Sequence, residues 1–184
     1  MNVLGTVATH TTWAEHTGWV GNRKVVHEVP FEDWIVDGVP LRELVTADRQ
    51  PPNPAQEMTP LCELGTWPET AVESLRRLLG DEPGDFDDGR VPLLFCPIDA
   101  DLGCQTLSTT LVLDDETVEW RDLGWQVSYE PFVAANDGFD PPMHFHFDRK
   151  AYTELLRALL GRFEEVVAAH AAAQQAPRRR FWRR

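Results

Sequence analysis

Two cysteines and two histidines are the residues of this chain whose types could hold a metal ion or do thiol chemistry. Cys96 and Cys104 flank a loop shaped by Pro97, Asp99, Asp101 and Gly103, and His144 and His146 form a His-x-His pair. Zinc takes about four ligands from thiolates, imidazoles and carboxylates, and the set Cys96, Asp99, Cys104, His144 and His146 would supply them if folding joined loop and pair. Residues two apart on a strand share a face, so both imidazoles would reach one ion. Cys-x7-Cys is not a standard zinc spacing, and free cysteines are among the most often buried residues. A structural role therefore outweighs zinc, and no other cofactor is expected.

A looser group is His10, His16 and His27, with Glu15 and Glu28 each next to a histidine. Imidazole titrates where general acid and base catalysis needs it. Neighbours on a strand point to opposite faces, however, so Glu15–His16 and His27–Glu28 are poor pairs by themselves. The chain carries no phosphate loop, nucleophile elbow, dinucleotide fingerprint or complete metal quartet. No catalytic residue is assigned.

Charge points to partners rather than reactions. Thirty acidic and 17 basic residues give −13, and five arginines lie among the last seven residues, so without them the body carries −13 − 5 = −18. Such a body repels nucleic acid, which leaves the basic tail (residues 177–184, expected to be disordered) as the one route to it, and it accelerates encounter with a basic protein. Asp81, Glu82, Asp85, Asp87 and Asp88 in one loop, and Asp114, Asp115 and Glu116 in a turn, form the expected steering surface. Among seven tryptophans, Trp13, Trp19 and Trp125 are the candidates for contact anchors, with Trp125 the one assigned to the binding surface. Alternation along the strand sets Trp120 and Trp125 on opposite faces, with Gly124 permitting a bulge.

The elements that must position these residues follow from pattern. At 184 residues and 42% hydrophobic content, residues 1–176 read as a single domain. No stretch matches a membrane span or signal peptide, and three cysteines suit a reducing cytoplasm without disulfides. Gly21–Asn22 within residues 19–29 predicts a hairpin, and residues 31–36 a strand ending at Asp37–Gly38. Pro40 opens a short helix through Leu41, Leu44 and Val45, and residues 48–60, with four prolines, form an irregular loop. A central helix runs from Thr66 as N-cap to Gly80, with Val72, Leu75 and Leu79 inward. Strands follow at 91–96, 105–113 and 117–127, then a flexible stretch at 134–142 and a short strand at 144–147. Asp148 caps the longest helix, whose apolar face is Tyr152, Leu155, Leu156, Leu159, Leu160, Phe163, Val166 and Val167. The fold expected is α+β, a mostly antiparallel sheet of about five to seven strands packed by the long C-terminal helix and the shorter central one.

Residues 36–44 (VDGVPLREL), 91–104 (VPLLFCPIDADLGC), 118–126 (VEWRDLGWQ) and 145–160 (FHFDRKAYTELLRALL) resemble an uncharacterised family of small acidic actinobacterial proteins, sometimes loosely labelled oxidoreductase. The resemblance spans Trp34 to Leu160 and implies a fold outline rather than a mechanism. Members look as if they often carry a further cysteine in the 96–104 loop where this chain has Asp99, so it brings neither a shared zinc or thiol-redox role nor catalytic residues.

Two functions are therefore expected. The first is an acidic cytoplasmic protein-binding module, of immunity or inhibitor type, for a basic partner. The alternative is a small metal-binding or thiol-dependent enzyme centred on the Cys96–Cys104 loop. The charge pattern favours the first, because the second needs a geometry that spacing does not provide.

Overall fold

The computed structural model describes residues 1–17, 23–46, 57–98 and 100–175. Strands β1 (Leu4–Thr17) and β2 (Arg23–Val36) pair antiparallel from Leu4 against Val36 to Thr17 against Arg23. Threonine, valine and aromatic residues suit this pleated ribbon, which at about 3.3 Å per residue is about 46 Å long. The hairpin expected within residues 19–29 instead pairs residues 4–17 with 23–36, and the expected Gly21–Asn22 turn lies outside the described residues, as do most of the proline-rich loop and the whole arginine tail. Asp37 (φ 53°) and Gly38 (φ 84°) both adopt left-handed backbone, the requirement of a two-residue hairpin turn, and lead into β3 (Val39–Pro40).

A second sheet contains β4 (Val91–Leu94), β5 (Thr106–Leu113), β6 (Thr117–Gln126) and β7 (Phe145–Asp148) in that order, all antiparallel. The architecture is α+β, with the seven strands among the described residues divided between sheets of three and four rather than joined in one. The reason is the crossover between helices α1 (Leu41–Leu44) and α2 (Trp67–Leu79). Met58 exchanges two backbone hydrogen bonds with Phe95 (3.0 and 2.7 Å), and Leu61 accepts one from Glu32 (2.9 Å), so this segment stitches the sheets together instead of adding a ladder. A second seam lies at Asn2, whose N–H donates to the His146 carbonyl and whose side-chain oxygen accepts from the His146 N–H at 2.8 Å.

Helix α2 and the long helix α4 (Arg149–Gln175) pack against each other and on the four-stranded sheet. Leu75, Leu78, Leu156, Leu160 and Phe163 meet Leu93, Leu107, Val118, Trp120 and Phe147, and Trp34, Val36 and Leu41 of the first sheet's side join the same core. Pro68 in the first turn and left-handed Gly80 at the end delimit α2 as expected, whereas Val72 is half-buried and Leu78 takes an inward position. The Asp148 carboxylate accepts from Ala151 N–H at 2.8 Å and caps α4. Within the core, Trp120 Nε1 donates to the Tyr152 hydroxyl (3.1 Å), which donates to the Leu78 carbonyl (3.1 Å), linking β6, α4 and α2. No described helix is long and apolar enough to cross a membrane.

Strand β6 contains the bulge. Ser108 faces Gly124 and Thr110 faces Arg121, so Asp122 and Leu123 together oppose Thr109, and Asp122 takes φ 53°. One extra residue inverts the alternation, which corrects the expected opposition of the tryptophans: Trp120 and Trp125 both enter the core. Over the face away from the helices, residues 127–143 fold back and include α3 (Ala134–Asp137). Gly124 permits this approach, since a Cβ there would lie 2.4 Å from the Asp137 carbonyl oxygen and 2.6 Å from the Phe132 ring.

Candidate functional site

In the Cys96–Cys104 loop, Ala100 N–H donates to the Cys96 carbonyl (3.0 Å) and Gly103 N–H to the Asp101 carboxylate (2.8 Å). It abuts the Gln126 end of β6, where Ser128 N–H donates to the Leu102 carbonyl at 2.8 Å. The histidine pair lies elsewhere, with His144 just before β7 and His146 on it, where His146 faces Glu119 and Phe145 faces Trp120. From Trp120 to Gln126 is about 20 Å along an extended strand. The fold thus does not bring loop and pair together. Among the described residues no group of three or more His, Cys, Asp or Glu is placed to hold a metal ion, and Asp99 lies outside them. Burial pushes the third thiol, Cys62, above its ordinary range, which makes it a poor nucleophile.

His144 and His146 do share one exposed face, as strand alternation requires. His146 Nδ1 stands 3.2 Å from a Glu119 carboxylate oxygen, and the hydrogen bond from Arg121 to the same carboxylate holds Glu119 below its usual range. His144 Nδ1 accepts from the Asp122 N–H at 3.0 Å and stands 3.8 Å from the Asp122 carboxylate. Of the N-terminal histidines, His27 stacks on Trp13 with ring centroids 5.1 Å apart and His10 faces Pro30, while the side chains of Glu15 and His16 fall outside the description, as does Trp19.

The acidic residues divide into two kinds. Asp81 pairs with Arg157 (2.8 Å), Glu82 with Arg76 (3.6 Å) and Asp85 with Arg77 (3.0 Å), so much of the expected steering loop is neutralised internally. Asp88 accepts from Arg90 N–H (3.2 Å) and from the Gln126 amide (3.0 Å). The side chains of Asp87, Asp114, Asp115, Glu116 and Glu130 make no ion pair or hydrogen bond among the described residues. Asp114, Asp115 and Glu116 sit at the β5–β6 turn, the opposite end of β6 from Asp88 and its partner Gln126, so the acids do not form one surface. Trp125, expected as a contact anchor, is 5% exposed and belongs to the core.

Spacing gave no sign of the polar centre around Arg90, which is 4% exposed. Its guanidinium donates to the Ser108 hydroxyl (2.9 Å), the Thr110 hydroxyl (3.1 Å) and the carbonyls of Ser108 (2.9 Å) and Asp122 (2.6 Å), and lies 3.6 Å from the centre of the Phe132 ring. Burial depresses its pKa to about 10, opposed by the nearby carboxylates of Asp88, Asp122 and Asp137, and it remains a cation at neutral pH. The sole sequence signal was a charged residue set directly before the apolar run of β4. Arg90 thus holds the bulge on one side and stacks on the Phe132 ring on the other, while Ser128 N–H is tied to the Leu102 carbonyl.

Next to Ser128, Tyr129 stands 72% exposed. Two clefts flank it, one of about 390 Å³ lined by Phe86, Asp87, Asp88, Tyr129, Glu130 and Pro131, the other of about 240 Å³ lined by Gln105, Trp125, Tyr129, Glu130 and Asp137. Ile98, 67% exposed, lies in the loop that touches Ser128 through Leu102. An exposed aromatic ring between unpaired carboxylates has the composition of a protein contact surface, an apolar anchor with a charged rim. Compared with protein-family models, with curated proteins and with solved structures, the chain matches none.

Proposed function

We propose that the chain is a cytoplasmic protein-binding module of immunity or inhibitor type, and that it takes a basic partner at the Tyr129 end of the four-stranded sheet. The observation that carries this reading is Tyr129, 72% exposed beside Ser128, whose N–H is tied to the Leu102 carbonyl. A tyrosine has few side-chain torsions to order on binding and serves as the central anchor. Asp87 and Glu130 beside it have no internal cation and supply the charge that meets the partner's lysines or arginines. Asp114, Asp115 and Glu116 add to the long-range field that speeds encounter without touching the same patch.

Affinity purification of the tagged protein from its host cytosol, followed by mass spectrometry, identifies the partner, and titration of that partner with variants tests the surface. Tyr129→Ala is expected to weaken binding at least about thirtyfold, the mark of a hot spot. Asp87→Lys with Glu130→Lys should weaken it further, whereas Asp81→Lys, at a carboxylate already paired, should do little. Unchanged affinity in the first two variants would overturn the assignment.

The metal or thiol enzyme has weaker support, since the fold sets the cysteine loop and the histidines apart. Elemental analysis of protein purified without added metal tests it directly, and about one zinc per chain would restore it.

A further inference from the structure

Between α1 and the segment that returns to β7 lies a cavity of about 550 Å³, distinct from the Tyr129 clefts. Its lining combines the apolar side chains of Leu44, Val45, Phe139, Pro141, Pro142 and Met143 with nearly as much polar surface, which includes the side chains of Asp140 and His144. The Asp140 carboxylate makes no ion pair or hydrogen bond among the described residues. The His144 ring is set by the bond that its Nδ1 accepts from Asp122 N–H. With Nδ1 accepting that bond, the N–H of the ring is at Nε2. Asp122 is the bulge residue with φ 53°, and Arg90 holds its carbonyl at 2.6 Å. A non-glycine residue in that conformation persists where its surroundings over-determine it. The cavity therefore has one imidazole N–H, one carboxylate without a partner among the described residues, and apolar side chains in a mixed lining.

These groups define a ligand. A carboxylate selects a cation, the apolar side chains select an apolar frame, and the Nε2–H selects an acceptor on that frame. The volume falls within the range of about 300–1,000 Å³ usual for small-molecule sites. A chain of net charge −13 further concentrates cations at its surface. We propose that this cavity binds a small amine with an apolar frame, its ammonium on Asp140 and an acceptor atom on His144 Nε2–H.

The three methionines make the test direct: Met143 lines the cavity, Met1 is 81% exposed and Met58 is fully buried. Protein carrying ¹³C-methyl methionine is titrated with 3-(4-methoxyphenyl)propylamine and, in a parallel arm, with the uncharged 3-(4-methoxyphenyl)propanol. The amine is expected to shift the Met143 resonance saturably while Met1 and Met58 stay in place, and the alcohol to bind at least tenfold more weakly. Asp140→Asn should bring the amine level with the alcohol, and because Asp140 is exposed this variant keeps the fold. His144→Phe should weaken the amine about threefold, the loss of one hydrogen bond of the weaker kind. The proposal is overturned if Met143 shows no saturable shift, if the alcohol binds as tightly as the amine, or if Asp140→Asn leaves the amine's affinity unchanged.

Discussion

Asp33, on β2 of the hairpin, is buried with Arg42 as its ion-pair partner at 3.5 Å, while its other carboxylate oxygen has no hydrogen bond among the described residues. Burial outweighs the pull of Arg42 and raises its pKa from 3.8 to about 6. The folded state therefore holds the proton more tightly than the unfolded chain, so Asp33 contributes stability in full below about pH 4, and this is lost as pH rises through about 6. A rise of that size is worth about 3 kcal/mol. Urea unfolding of wild type and Asp33→Asn at pH 4.5 and 7 should show a wild-type gain on acidification that the variant lacks, and parallel pH profiles would refute the assignment. Tyr152 gives a second prediction at this scale. Its hydroxyl is the partner of both the Trp120 indole and the carbonyl of Leu78, which lies in the last turn of α2 where no helical partner follows. Tyr152→Phe leaves both groups buried and unpaired and should cost about 2–3 kcal/mol in the same assay.

At the scale of elements, the helices were legible because their ends are local: Pro68, Gly80 and Asp148 mark boundaries within a few residues of where they act. β1 was not foreseen, since its run of threonine, histidine and alanine gives no clean apolar alternation. The bulge was half legible. Gly124 flagged it, but the extra residue falls at Asp122–Leu123, and its position depends on contacts from Arg90 and His144 that are distant in sequence. The same holds for the proposed site: Asp87 and Asp88 were readable as acids, whereas the exposure of Tyr129 and the burial of Arg90 depend on segments that meet after folding. Gly124→Ala tests this dependence, because its Cβ would strike the Asp137 carbonyl and the Phe132 ring. It should lower stability by about 1–3 kcal/mol in thermal unfolding and weaken partner binding without altering a contact residue.

For the whole molecule, a net charge of −13 sets like charges against one another, although pairs such as Asp81–Arg157 and Asp85–Arg77 offset part of it. Added salt should therefore raise Tm between about 10 mM and 1 M NaCl, as the screening length falls from about 30 to 3 Å, and slow association with a basic partner. A Tm that falls with salt would mean that the internal pairs outweigh the repulsion. Composition made this balance readable in advance. The division into two sheets was not, because it is decided by where Met58 and Asn2 form their bonds, 37 and 144 residues from Phe95 and His146.

Those two seams imply two clocks within one chain. The central strands β5 and β6 are flanked on both sides and covered by the core, so their amide hydrogens should exchange with deuterated water at the pace of complete unfolding. The outer hairpin leaves one face bare, at Thr12, Ala14, Val26 and Glu28, and its amides should exchange far sooner, through openings that leave the helices and the Tyr129 patch intact.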